Sequence, residues 1–383
     1  MSRTLTPLSL VLSWMLLPAP LSPGQGQAGA PPAEATQTQP PAVRSAAELS
    51  IPELLSAAQQ YRSGGQLDRA LELLRYLLQE RDKGNIEGLR LLGEIYWDSK
   101  NAALAEDAWK QVVAVQPNDF VANLGLGRVY LNSGLPRQAK PYLETAAKVV
   151  PPNSPQHEVQ VQVALAMALR GGGQWREAIA AAERALRADR DNFDAQQLLT
   201  ALRIENARTA EEFDRALADA ERLIEIAGNA LRAAVNQEGV QRLQLAYQSK
   251  LQVLYAFRQL LFRKNPDGSF TDQLLPGQEK RAAAVFSQIV DVMLRQADVN
   301  RTLARFQIVE FAAAAVKYDG GTNPRTLLDL GLLQKETGQT AAAVETFRKV
   351  LELDPQNATA RREYEALLGP LPESSALPPA PTP

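Results

Sequence analysis

One imidazole, His157, serves 383 residues, and there is no cysteine. A Ser–His–Asp relay or a multi-histidine metal site would need His157 or more like it. It stands beside Pro155, in a stretch that reads as a solvated loop. Without thiols the chain can form no disulfide, thiolate nucleophile or zinc–thiolate cluster. Gly171-Gly172-Gly173 has the glycine content of a phosphate loop, but no Gly-Lys-Ser/Thr follows it and no strand pattern precedes it. Gly125-Leu126-Gly127 lacks the third glycine of a dinucleotide fingerprint. Carboxylates alone can hydrolyse glycosides, yet Asp and Glu are spread along amphipathic stretches here and no pair stands out. The expectation is a protein that is not an enzyme and holds no catalytic residues, no cofactor and no metal.

The elements that such side chains would ride on are plainer than the chemistry. Tyr61, Tyr96 and Tyr130 recur at intervals of 35 and 34 residues. Each anchors the same set of small and apolar residues. The first set is Leu54, Ala58, Tyr61, Gly65, Ala70 and Leu74. Leu89, Gly93, Tyr96, Ala105, Trp109 and Pro117 follow, then Leu126, Gly127, Tyr130, Gly134, Ala139, Leu143 and Pro151. After a short insertion come Leu165, Ala166, Leu169, Gly173, Ala178 and Ala182. The pattern returns with Leu327, Gly331, Gly338, Ala343, Phe347 and Pro355. The physics is that of two antiparallel helices joined by a tight turn. The small residue of the first helix and the alanine of the second let the pair approach closely. The bulky residue four positions after the alanine fills the gap toward the next pair. Gly65, Gly134, Gly173 and Gly338 fall in the turn, where positive φ is expected. Pro117, Pro151 and Pro355 stop the second helix.

These positions resemble the tetratricopeptide repeat (TPR) family, whose period and small/Tyr/Gly/Ala/bulky/Pro order they share. Gln334 replaces the usual tyrosine in the last repeat and Asp82 the usual proline in the first. The resemblance implies an all-α fold, a right-handed solenoid of antiparallel helix pairs. It also implies a concave groove lined by the first helix of each pair. By register the inward residues are Gln59, Arg62, Arg90, Glu94, Trp97, Arg128, Leu131, Met167 and Arg170. Arg90, Arg128 and Arg170 would meet acidic groups, with Trp97 as an aromatic anchor. The family's peptide-end clamp uses Lys, Asn and Arg at places held here by Leu55, Gln59, Leu91, Val121 and Gly125, so that clamp is absent.

The rest of the chain divides by composition. Met1–Ala30 reads as a secretory leader: Arg3, an apolar core Leu8–Leu17, and small residues with cleavage after Ala28 or Ala30. That core is too short for the roughly 20 residues of a membrane span, and no later segment is a candidate. Residues 31–45 read as a Pro-rich disordered linker and 369–383 as a similar tail. Between them lie a repeat array over 46–206, a divergent long-helix region over 207–323, and a closing repeat with its capping helix over 324–368. The array has repeats at about 51–84, 86–119, 120–153 and 159–192, plus one more helix. In the divergent region Thr209 before Glu211-Glu212 marks a helix start. Residues 229–263 read as largely helical with a break at Gly239, Asn265–Gly268 as a turn, and 277–296 and 299–317 as two further helices. Whether the region continues the solenoid or forms a separate helical insertion is open on this pattern.

With 41 basic against 43 acidic residues and no single-sign run, nucleic-acid binding has no electrostatic support. The function implied is an exported scaffold, in the periplasm, on the envelope or secreted, binding a protein or peptide, acidic if it meets the arginines. Cell-envelope assembly or secretion fits best. The alternatives are a scaffold for polysaccharide export, or a non-catalytic module of a carbohydrate-active or peptidase complex.

Overall fold

The computed structural model describes residues 46–234, 236–265, 270–300 and 305–368. The leader, linker and tail expected at 1–30, 31–45 and 369–383 lie outside these residues. So does all of the Asn265–Gly268 turn except Asn265. The chain falls into two compact units, one ending at Ile95 and one beginning at Tyr96.

The first unit holds α1 (Ile51–Ser63), α2 (Leu67–Tyr76) and most of α3 (Ile86–Asp98). Its core is Leu54, Ala58, Ala70, Leu74, Leu77, Leu91 and Ile95. In place of a proline stop, α2 widens into a π-type turn over Leu77–Arg81 and ends at Asp82, whose backbone is extended.

The second unit carries the end of α3 and then α4 (Ala102–Val115), α5 (Phe120–Asn132), α6 (Pro136–Lys148), α7 (Pro155–Gly171) and α8 (Trp175–Ala188). Next come α9 (Phe193–Asn206), α10 (Ala210–Ala233), α11 (Gln237–Leu261), α12 (Glu279–Asn300) and α13 (Arg305–Tyr318). It closes with α14 (Pro324–Glu336), α15 (Thr340–Leu353) and α16 (Ala358–Leu368). From α4 onward each helix packs on its neighbours in sequence.

The small positions do what the repeat requires. A Cβ added at Gly127 would stand 2.3 Å from Leu143, and one at Gly331 2.7 Å from Phe347. Trp109 lies against Gly125 of the following repeat, where an added Cβ would meet the ring at 2.6 Å. Leu143 and Phe347 thus pack onto the first helix of their own repeat, and Trp109 onto that of the next. The turn glycines Gly65, Gly134, Gly173 and Gly338 have φ of 72°, 70°, 75° and 77°. The second repeat places Lys100 at that position, with φ 61°.

Four readings of the sequence need correction. His157 is in the first turn of α7, which starts at Pro155 and so absorbs the supposed insertion. The break between α10 and α11 falls at 234–236, not at Gly239. Asn236 caps α11 by accepting the Gly239 amide at 2.7 Å, and the missing Cβ at Gly239 leaves room for Leu231. The helix expected to run to Arg263 stops at Leu261. Phe262–Lys264 pairs antiparallel with Phe270–Leu274 as strands β1 and β2. The last two helices of the region each begin and end a little later in sequence than periodicity placed them. The start at Thr209 is as read: its hydroxyl accepts from the Glu212 amide at 3.3 Å while Glu212 accepts from the Thr209 amide at 3.0 Å. One apolar cluster runs from Phe213 in α10 through Phe257, Phe286 and Ile308 to Leu333 in α14.

Two substitutions should move stability in opposite directions. Gly127→Ala forces a methyl into Leu143 and should cost about 1–3 kcal/mol. Lys100→Gly relieves a left-handed backbone that costs an L-residue roughly 1–2 kcal/mol. After the greater chain entropy of glycine is counted, it should raise stability by about 0.5–1 kcal/mol. Urea denaturation midpoints check both; a lower midpoint for Lys100→Gly would mean that the lysine side chain outweighs its backbone strain.

Candidate binding surface

The first helices carry the residues expected to line the groove. In the first unit, Gln59 is exposed, while Arg62, Arg90 and Glu94 are half-buried. The Arg62 guanidinium donates to the Glu94 carboxylate, tying α1 to α3. Arg90 likewise has an interaction of its own. None of these side chains is an unattached charge awaiting a ligand.

In the second unit the picture is mixed. Arg170, expected to meet an acidic partner, is already engaged: its Nε donates to Glu205 of α9 at 2.9 Å and its Nη2 to the other carboxylate oxygen. This bidentate pair uses Nε and Nη2, so the acidic group expected of a partner is already supplied from within the chain. Arg203 bridges Glu183 at 2.7 Å and Asp219 at 2.6 Å, linking α8, α9 and α10. Burial raises the Asp219 pKa, and Arg203 works against that rise. Lys335 of α14 pairs with Glu363 of α16.

Arg62, Arg170 and Lys335 share a register. Each follows directly on Tyr61, Leu169 or Gln334 at the repeat's tyrosine position. Each pairs with a carboxylate 32, 35 or 28 residues on, in a later first helix or in the capping helix. Charge complementarity one repeat apart was therefore present in the sequence; Glu205 and Glu363 are the partners it would have found. At the same register the two intervening repeats carry Trp97 and Leu131.

Those two side chains are half-buried, as is Met167. The Trp97 ring lies 6.4 Å from that of Trp109, tilted by 43°. Between Trp97 and Leu131 in sequence stands Arg128, which is exposed and makes no hydrogen bond or ion pair among the described residues. Its pKa is nevertheless lowered by desolvation, with Asp98 acting in the opposite sense. The guanidinium is open to water and yet crowded closely enough to lose hydration. It stays protonated at any physiological pH.

Chemistry elsewhere is sparse. The His157 ring meets Phe120 edge-on at 5.1 Å, and its Nδ1 lies 2.6 Å from the Ser154 hydroxyl at the start of α7. Gly171–Gly173 closes α7 and turns the chain into α8; a Cβ at Gly171 would strike Pro136, so packing explains that glycine. Among the described residues no cluster of His, Asp or Glu is placed to hold a metal ion, and no helix is long and apolar enough to cross a membrane.

Two stretches match models of the tetratricopeptide repeat, residues 163–199 and 324–357. Among solved structures, similarity extends to MamA from Desulfovibrio magneticus RS-1 at 20% identity, over 48% of this chain and 96% of that one, with a TM-score of 0.40. YrrB, a TPR protein with an unusual peptide-binding site, matches at 20% identity over 53% and 93%, TM-score 0.42. PilW, a type IV pilus biogenesis factor, matches at 16% identity over 54% and 89%, TM-score 0.42. The curated proteins gave no match. Tetratricopeptide repeats thus stand at residues 163–199 and 324–357, and the fold is all-α, of the TPR solenoid type. Such a fold is a scaffold for contact with other proteins.

The cross-helix pairs give the array an acid sensitivity that can be read at α16. Hydrogen bonds from Lys335, then Arg362, hold the Glu363 pKa below the ordinary glutamate value. A depressed carboxylate stabilises the folded form above its unfolded pKa and loses that contribution as pH falls through the folded value. Protection of the α16 amides should therefore fall below about pH 4, and Glu363→Gln should abolish that dependence. An identical pH profile in wild type and variant would exclude the pair as its cause.

Proposed function

We propose that the chain is an exported scaffold that binds a partner protein through the inward face around Trp97, Arg128 and Leu131. The carrying observation is Arg128: a partly desolvated guanidinium that makes no hydrogen bond or ion pair among the described residues, where Arg62, Arg170 and Lys335 of other repeats are paired internally. Trp97 and Leu131 supply apolar surface at the register where Arg62, Arg170 and Lys335 form ion pairs. A partner segment with a carboxylate next to an apolar side chain satisfies both. Export is supported by the leader pattern of Met1–Ala30, and a repeat scaffold outside the cytoplasm suits assembly or secretion at the cell envelope.

The binding reading predicts that, with the partner captured by the full chain from its host, Trp97→Ala weakens affinity by about 2 kcal/mol or more. Arg128→Glu should weaken it more at low salt than at high salt, because the reversed charge is screened. Circular dichroism should show both variants folded. Wild-type affinity in both would remove this face as the binding surface.

The export reading predicts that N-terminal sequencing of protein from its host begins between about Gly29 and Pro31. A cytosolic chain that starts at Met1 would refute it.

A further inference from the structure

Three helices and a strand bring five rings together in the second unit. Tyr255 lies in α11, Phe262 begins β1, Phe286 is in α12, and Phe311 and Tyr318 are in α13. Tyr255 is 5.8 Å from Phe311, Phe311 is 6.1 Å from Phe286, and Phe286 is 6.3 Å from Phe262 and 5.4 Å from Tyr318. Phe286 is buried; the other four are half-buried, so the cluster reaches the surface.

Arg258 stands over this cluster. Its guanidinium carbon lies 5.9, 5.7 and 6.0 Å from the ring centres of Phe262, Phe286 and Phe311. Such contacts fix the cation by its faces and leave the N–H donors at its edge unused. Other ring-stacked arginines show what normally completes the arrangement. Arg69 lies over Tyr61 and donates to Gln66 at 2.8 Å. Arg242 lies over Phe193 and pairs with Glu238 at 2.7 Å. Arg281 lies over Phe257 with Asp214 at 3.7 Å. Arg258 is exposed and has no hydrogen bond or ion pair among the described residues. Lys317, also exposed and unpaired there, stands 5.5 Å over Tyr318 at the margin of the same cluster.

We propose that this face is a second docking site, which takes a peptide segment of a partner protein bearing a carboxylate beside an aromatic or branched apolar side chain. The carboxylate meets the fork of Arg258, whose geometry suits bidentate pairing, and Lys317 adds a second positive charge. The apolar side chain fills the space between rings. Tyr318 stacks on the buried Phe286 at 17°, but the half-buried rings are inclined to one another, with Tyr255–Phe311 at 46° and Phe262–Tyr318 at 74°. An inclined set offers clefts for a side chain rather than the flat platform on which bases stack. Two cations without a basic stripe give a nucleic-acid backbone too little to hold. Arg together with aromatic residues is also the composition of binding hot spots. The site does not depend on the Trp97–Arg128 reading.

The test uses three synthetic hexapeptides, blocked at both ends, with alternating Asp-Phe, Lys-Phe and Asp-Ser sequence, titrated calorimetrically into the full chain. The Asp-Phe peptide should bind, and the Lys-Phe and Asp-Ser peptides should bind at least about tenfold more weakly, since each lacks one of the two required features. Arg258→Gln should weaken the Asp-Phe peptide by about tenfold or more. Arg258→Lys keeps the charge without the fork and should fall between. Arg128→Gln should leave this affinity unchanged. Equal binding of the Asp-Phe peptide to wild type and Arg258→Gln overturns the proposal, as does equal binding of the Lys-Phe peptide, or no binding of any peptide. Loss of binding in Arg128→Gln with retention in Arg258→Gln also overturns it, and assigns the peptide to the Trp97 face instead.

Discussion

A bulky side chain set on a glycine is the contact on which the repeat array depends. Leu143 on Gly127, Trp109 on Gly125 and Phe347 on Gly331 leave no room for a methyl group at the small position. Interiors are packed at crystal-like density, so a contact of this kind fixes helix separation to a fraction of an ångström. It also sets the register of everything the first helices carry. The inward residues stand where they do because the outward faces of the same helices are pressed against bulky neighbours.

That constraint explains how charge is used. Once first helices are held side by side, groups one repeat apart come within reach. Arg62–Glu94, Arg170–Glu205 and Lys335–Glu363 follow from this closeness. Each removes an arginine or lysine and a carboxylate from what a partner can meet. Where the same register holds Trp97 and Leu131, apolar surface remains, and Arg128 keeps its donors. Binding capacity is thus a residue of internal pairing: what the scaffold does not use to hold itself together is what it can offer.

The long helices α10, α11 and α12 obey a different rule. Small-on-bulky contacts give way to a core of aromatic and branched side chains, among them Phe213 stacked on Phe257 at 5.3 Å and 8°. Such a core cannot hide all its rings, and the ones it leaves half-covered are those that gather under Arg258. The short β1–β2 pair and the ring of Phe262 close the turn between α11 and α12.

The sequence by itself determined the helix pairs, their turns and their packing set. These depend on local rules: a left-handed turn wants glycine at 65, 134, 173 and 338, and close approach wants a small residue at 127 and 331. A period that repeats such rules is legible without coordinates. It also determined the start of α10, because a capping box is written within four residues. It did not give the break at 234–236, where Asn236 rather than Gly239 ends the continuity, nor strands β1 and β2, whose few residues carry too little pattern. The tertiary structure alone decided which inward charges remain available. Arg170, just after the repeat's tyrosine position, meets Glu205 of another helix, whereas Arg128, two places before Tyr130, makes no hydrogen bond or ion pair among the described residues. The aromatic cluster under Arg258 was likewise invisible, because its rings come from positions 255 to 318 and meet only when three helices and a hairpin pack together.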